Sequence, residues 1–356
     1  MPDIRIGLIG CGGIANGSHI PSYAASTGGR IVAVCDINDE RLNRTGDRLN
    51  IPAELRFKDY HDLIACDQVD AVDICTPNYL HCPIAMEAVK AHKPFSCEKP
   101  LGMNYKETVD LMNAAKAAGV PGLIWLSWRY RAIIRYLKSL VDEGKIGKLR
   151  HIYIRCIKDS GIWENRPLEW RFQKDLAGTG VLCDLGSHMF DLLRFMGEEI
   201  DHIYAEMGIV YPERPLEDDP TKFGKVTTDD WVNLIAMTES GANLTFQISR
   251  TTTGVSGNVK LELYGEKGML IFDEAKPQLE FCTDEYSRAR KRSQTVFLET
   301  PDSFKTQQSQ AFIDMVNGNT NKYTATLDMG VADQKIIDAA VLSATEHRVV
   351  KLSEIQ

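Results

Sequence analysis

Two short segments of this 356-residue chain carry the residue types for redox chemistry on a bound dinucleotide. Gly10-Cys11-Gly12-Gly13-Ile14-Ala15 follows the apolar run 4–9 and opens a helical stretch. Gly10 permits a tight turn, Gly12 lets the main chain approach a pyrophosphate, and Ala15 lets helix and strand pack closely. Gly13 and Ile14 begin that helix, whose N-terminus offers free N–H groups and a positive dipole end to phosphates. Glu98-Lys99-Pro100 ends the later apolar run 94–97. A lysine there stands at the edge where such sheets hold ligand, and it can hydrogen-bond a substrate oxygen as donor or as base. In a third segment, apolar residues at 182, 185, 189, 192, 193 and 196 predict one buried helical face. Asp184, His188 and Asp191 stand at i, i+4 and i+7 on an adjacent face. An aspartate one turn before a histidine can orient the ring and stabilise its charged form. Removing hydride from a secondary alcohol requires the hydroxyl proton to leave too, which makes Lys99, Asp184 and His188 the candidate catalytic residues. Groups that share a pocket titrate together, so residue types do not assign the proton to His188 or to Lys99. The same stripe also reads as an ion-paired face or as metal ligands at helical spacing. No second ligand cluster accompanies it, and no metal is expected.

The cofactor side has further candidates. Asp36 closes the second strand, where a carboxylate accepts hydrogen bonds from ribose hydroxyls and repels a 2′-phosphate. Ile37 and Asn38 follow, with no arginine immediately beside it. NAD is therefore expected over NADP, with Arg41 one turn on as the residue able to blur the preference. Asp36 can also cap the helix that begins at 38–39. Thr76-Pro77-Asn78 follows the run 71–75 and is expected to touch cofactor, as is Glu98. His81, one turn further, is more often a surface histidine but stays among the cofactor candidates.

These residues need a scaffold. Strand-like runs at 4–9, 30–35, 71–75, 94–97 and 122–125 alternate with helical stretches at 13–25, 39–49, 60–65, 79–91 and 105–118. That alternation predicts a doubly wound parallel sheet over residues 1–125. After a helix at 131–143 the pattern changes to strands at 151–157, 202–210, 231–238, 242–249, 259–264, 268–272, 278–281 and 295–298. Tight turns such as Glu239-Ser240-Gly241 predict a mostly antiparallel, open sheet in a second, α+β domain, 126–356, with helices at 303–317 and 329–347. The outer face of an open sheet needs cover, so a homo-oligomer, dimer or tetramer, is expected through it.

Composition bounds the rest. A net charge of −8 disfavours a nucleic-acid partner. No apolar stretch is long enough to span a membrane, and no signal peptide is apparent. Nine scattered cysteines predict reduced thiols and a cytoplasmic location. The acidic stretch 213–230 reads as an exposed insertion, and Arg288–Arg292 as a solvated basic loop tip.

The glycine turn, Thr76-Pro77-Asn78, Glu98-Lys99-Pro100, Gly144-Lys145-Ile146-Gly147 and Asp184-Leu185-Gly186-Ser187-His188-Met189-Phe190-Asp191 together resemble the glucose–fructose oxidoreductase / inositol dehydrogenase (Gfo/Idh/MocA) family over essentially the whole length. The resemblance implies a Rossmann domain, a sheet-based substrate domain and hydride transfer on sugars, cyclitols or glycosides. It matches Lys99 to the family's catalytic lysine and Asp184/His188 to its Asp-x-x-x-His pair. On the substrate side, Trp163 and Arg171 in the segment 159–179, and Arg129 beside Trp128 and Tyr130, suit a carbohydrate, because rings stack on C–H faces and polar groups bind hydroxyls. The expected activity is an NAD-dependent dehydrogenase acting on a ring secondary alcohol of a carbohydrate or cyclitol. The alternatives are a glycosidase that uses NAD for transient oxidation, and a non-catalytic NAD-binding regulator.

Overall fold

The computed structural model describes residues 3–283 and 295–356. Arg288–Arg292 lies outside the described residues. The chain divides into two compact units.

The first unit is built on six strands, β1 (Ile4–Ile9), β2 (Gly29–Cys35), β3 (Arg56–Phe57), β4 (Ala71–Ile74), β5 (Phe95–Glu98) and β6 (Gly122–Trp125). They pair in parallel in the order β3-β2-β1-β4-β5-β6. The order reverses between β1 and β4, and the crevice outside that reversal is where such sheets bind dinucleotides. β4, β5 and β6 are buried at every residue, as parallel strands covered on both faces must be.

This unit comprises Met1–Leu126 together with Thr306–Gln334, so the later segment joins the first sheet and not the second domain to which its position in sequence assigned it. The reason is local packing. Phe312 and Ile313, on the helix Gln308–Val316, pack with Ile4, Ile6, Tyr23, Leu123 and Trp125 on one face of the sheet. The Gln308 side-chain amide donates to the Ile124 carbonyl at 3.0 Å, and the Ile124 N–H donates to Ala325 O at 2.9 Å.

The second unit, Ser127–Lys305 with Lys335–Gln356, is built on β7 (Leu149–Ile157), β8 (Ile200–Gly208), β11 (Trp231–Thr238), β12 (Asn243–Ser249), β13 (Asn258–Gly265), β14 (Gly268–Asp273), β15 (Leu279–Thr283), β16 (Val296–Leu298) and β17 (Val350–Lys351). Their order is β16-β15-β14-β13-β7-β12-β11-β8-β17, and within it β7 and β12 pair in parallel while the other pairs are antiparallel. Burial alternates along β7 and β11, so one face is packed and the other carries Tyr153 and Ile235 at the surface. The stretch expected to be an exposed insertion instead forms a small hairpin, β9 (Glu213–Pro215) with β10 (Phe223–Lys225), and Arg214 within it is fully buried. Among the described residues no helix is long and apolar enough to cross a membrane.

Phe312→Ala should cost about 3–5 kcal/mol in urea unfolding, the usual range for deleting a buried ring. A loss below about 1 kcal/mol would place the helix outside the first core.

Candidate active site

The turn after β1 is dictated by a close crossing. Gly10 has φ +95°, and a Cβ there would lie 2.5 Å from the Cys75 carbonyl oxygen at the end of β4. Glycine alone meets both demands. A Cβ at Gly12 or Gly13 would meet nothing within 4 Å, so bare main chain borders open space there. The helix begins at Gly13, and Ala15 is fully buried. The Asn16 side-chain amide donates to Cys11 O and Gly12 O and closes the turn from behind. Residues 15–19 of this helix form a wide π turn, which period counting along the sequence does not show.

Asp36 lies at the end of β2 and is buried. Its carboxylate accepts from the Cys11 N–H at 2.9 Å, the Asn38 N–H at 2.8 Å and the Arg41 guanidinium at 3.0 Å. Burial works to raise this carboxyl, but Arg41 and the two N–H groups outweigh it and hold it below the usual carboxylate range. Asp36 does not cap the following helix. Asn38 does, accepting from the Arg41 N–H. Arg41 thus belongs to the Asp36 carboxylate, and beside it Ile37 is 82% exposed and Ile14 43% exposed.

At the end of β4, Thr76 Oγ1 is buried with no hydrogen-bond partner among the described residues, and Asn78 is buried as the first residue of a 3-10 turn. Open main chain at Gly12 and Gly13, an orphaned hydroxyl at Thr76 and a carboxylate at Asp36 fit a dinucleotide along this edge. His81 is not at the surface. It is fully enclosed, with Nδ1 2.7 Å from Pro100 O and Nε2 2.9 Å from Thr76 O, so its ring staples the loops after β4 and β5. Burial lowers its pKa despite those carbonyls. Glu98 ends β5 with both oxygens turned inward, Oε1 to His19 and Oε2 to the Lys99 N–H, and Lys99 follows, half-buried, at the same edge of the sheet.

In the second unit, the helix over 181–195 contains a π turn, Leu182–Gly186, before the regular stretch Ser187–Phe195. Of residues 181–193, Asp184 and His188 alone are not fully buried. Asp229 anchors the start of this helix, accepting from the N–H groups of Gly180 at 2.5 Å and Leu182 at 2.9 Å. Burial pushes its carboxyl up, and those N–H groups offset part of that. Asp191 leaves the expected polar stripe, because it is buried in an ion pair with Arg129. Arg129 is 1% exposed and also lies 5.0 Å from the Phe195 ring centroid. Its guanidinium therefore serves the core and is not presented to a substrate, a correction to the sequence expectation.

Trp163 is 61% exposed, and the Arg171 guanidinium lies 4.3 Å from the Trp170 ring centroid. The Trp163 loop is held by Arg214, which donates to Trp163 O at 2.9 Å and Gly161 O at 2.6 Å. Arg166, Arg214 and Arg250 surround the Phe172 ring. Sequence reasoning passed over His19, Asp73, Asp229 and Arg214. For Asp73 a signal was present, since it is a charge inside the apolar run 71–75.

Residues 4–124 match an oxidoreductase family with an NAD-binding Rossmann fold, and residues 134–271 match the GFO/IDH/MocA C-terminal domain. The chain belongs to the Gfo/Idh/MocA oxidoreductase family. Among its relatives, levoglucosan dehydrogenase of Pseudarthrobacter phenanthrenivorans is 28% identical over 81% of this chain and 79% of the relative. Myo-inositol 2-dehydrogenase of Thermotoga maritima is 27% identical over 99% of both. Similar solved structures include a levoglucosan dehydrogenase in complex with NADH and L-sorbose (TM-score 0.88, 26% identity, 99% of both chains). An oxidoreductase domain protein from Kribbella flavida superposes with TM-score 0.89 at 25% identity, over 99% of this chain and 100% of that one. The protein is an oxidoreductase with an NAD-binding Rossmann domain and a mixed, mostly antiparallel second sheet.

Asp36→Ala should weaken NAD more than NADP in equilibrium titrations of the two cofactors; an unchanged ratio would remove Asp36 from ribose recognition. The depressed Asp36 carboxyl also has a consequence for stability. Its contribution is present above the ordinary value of 3.8 and is lost as pH falls through the lowered one. Asp36→Asn should therefore melt earlier than the parent at neutral pH, with the gap closing in acid.

Proposed function

We propose that this oxidoreductase is an NAD-dependent dehydrogenase for a ring secondary alcohol of a sugar, cyclitol or glycoside. The observation that carries this reading is Lys99, half-buried at the carboxyl end of β5, on the sheet edge that also holds the glycine turn and Asp36. Relatives named for levoglucosan and myo-inositol support the substrate class.

When bound, NAD supplies the hydride acceptor. Gly10, Gly12, Gly13 and Ile14 form the cradle for its phosphates, Asp36 and Ile37 take the adenosine end, and Thr76, Pro77 and Asn78 line the edge toward Lys99. Glu98 enters through its hold on the Lys99 main chain. Lys99 hydrogen-bonds the substrate hydroxyl. Asp184 orients His188, and Lys99 and this pair handle the hydroxyl proton as hydride leaves. Trp163 offers a face for C–H groups and Arg171 offers donors to hydroxyls. The exposed Tyr153 and Ile235 support a homo-oligomer formed through the outer face of the second sheet. All nine cysteines are free thiols, which supports a cytoplasmic setting.

The test is NADH formation with a panel of inositols, aldoses, anhydrosugars and simple glycosides. Reduction with one class supports the dehydrogenase, whereas aglycone release without NADH would replace it by the transient-oxidation glycosidase. With the substrate in hand, Lys99→Ala should lower kcat by about 10²–10⁴-fold, the range for a proton-transfer group, with NAD affinity nearly intact. Equal loss of both would undo the assignment.

A further inference from the structure

A buried chain of polar groups runs through the first unit beneath Lys99. Asp73 lies within β4 and is fully buried. Its Oδ1 accepts from Ser96 Oγ at 2.5 Å and from Trp125 Nε1 at 3.1 Å. Its Oδ2 lies 2.7 Å from His19 Nδ1, and His19 Nε2 lies 2.8 Å from Glu98 Oε1. Glu98 Oε2 accepts from the Lys99 N–H at 3.1 Å. The π turn 15–19 delivers His19 to this place, and the Trp125 ring stacks on it at a centroid distance of 3.5 Å. Sheet register explains the assembly, because Asp73 pairs with Ser96 and Glu98 pairs with Trp125, all on the face that the first helix covers.

A carboxylate only accepts hydrogen bonds. With carboxyl oxygens of Asp73 and Glu98 2.7 and 2.8 Å from its two ring nitrogens, His19 bridges the two side chains. Burial works to lower the ring's pKa, but its partners, Asp73 foremost, hold it well above its ordinary value. Cys75 Sγ lies 3.1 Å from Nδ1, and burial pushes its thiol up, so it stays neutral. Tyr23 reaches the same cluster through Ser96. The ligand atoms of His19, Asp73 and Cys75 lie within 4.8 Å of one another, as in a metal site. The 2.7 Å contact is nevertheless a hydrogen bond. Two ligands on one tetrahedral zinc would stand roughly 3.4 Å apart.

We propose that His19 is a positioning residue for Lys99, acting through Glu98. Asp73 anchors the imidazole, the imidazole fixes the Glu98 carboxylate, and the carboxylate fixes the main chain from which the Lys99 side chain departs. The first dinucleotide-binding helix is thereby tied to the residue that meets the substrate. This rests on the reading of Lys99 as a catalytic residue.

Glu98→Gln tests it without changing shape. An amide accepts at one end only, so one of the two donors to Glu98 loses its acceptor: either the Lys99 link breaks, or the His19 ring must give up its Nε2 proton and exchange a charged link for a weaker neutral one. The expected result is a fall in kcat of about 100-fold, the scale of a small misplacement of a reacting group, with substrate KM and NAD affinity changed less than about twofold. Thermal unfolding of the variant should confirm that it is folded. His19→Gln should reproduce the kcat loss if it folds. Unchanged kcat in Glu98→Gln, or a loss of NAD binding and melting temperature in proportion to kcat, would overturn the proposal in favour of a core role. Full turnover in Lys99→Ala would instead strike the reading on which it rests. A readout free of turnover is ¹⁵N NMR of the His19 ring, identified by its absence in His19→Gln. Its signals should shift in Glu98→Gln, and unchanged signals would overturn the proposal.

Discussion

A parallel sheet covered on both faces leaves polar groups one natural outlet, the ends of its strands. The first unit obeys this constraint closely. β4, β5 and β6 are buried throughout, and the exposed or half-exposed groups that follow β1, β2, β4 and β5 gather along one edge. Crowding at that edge is what makes Gly10 necessary, because the chain leaving β1 must pass the carbonyl of Cys75. The same crowding brings the Asp36 carboxylate to the Cys11 N–H, so the glycine turn and the end of β2 hold each other in place.

A departure from the rule is the buried pair of Asp73, within β4, and Glu98, at the end of β5. Asp73 and Glu98 are tolerated there because each finds hydrogen-bond partners, with one nitrogen of the His19 ring against each. Buried carboxylates of this kind are costly when isolated and tolerable when fully hydrogen-bonded. The arrangement also shows why one helix does two tasks. Its start borders the glycine turn, and its π turn places an imidazole against Glu98, the last residue of β5.

Much of this was legible in the sequence where a residue's physical requirement is local. Strand–helix alternation, the small residues of the first turn and the Asp184/His188 spacing all depend on neighbours in sequence, and the parallel and antiparallel sheets follow from them. What escaped depends on distant partners. Arg129 reads as a sugar-binding cation until Asp191 is seen against it, and His81 reads as a surface ring until the carbonyls of Thr76 and Pro100 enclose it. The acidic stretch around residues 213–230 looked solvated because its one structural cation, Arg214, has backbone carbonyls 48–53 residues earlier as its hydrogen-bond partners. Period counting also treats 13–25 and 182–196 as uniform helices, and both contain a π turn at the place where polar side chains are presented.

The return of Thr306–Gln334 to the first unit bears on how the chain is made. On the ribosome, the six strands of the first sheet emerge before Phe312 and Ile313, which pack with Ile4, Ile6 and Trp125 and follow only after the stretch 127–305 of the second unit. Until then an apolar patch of the nascent sheet faces solvent, the kind of exposure that recruits chaperones. The first unit is complete only once Thr306–Gln334 has followed most of the second unit's strands, and a gene fragment ending near residue 126 would encode a sheet without part of its cover.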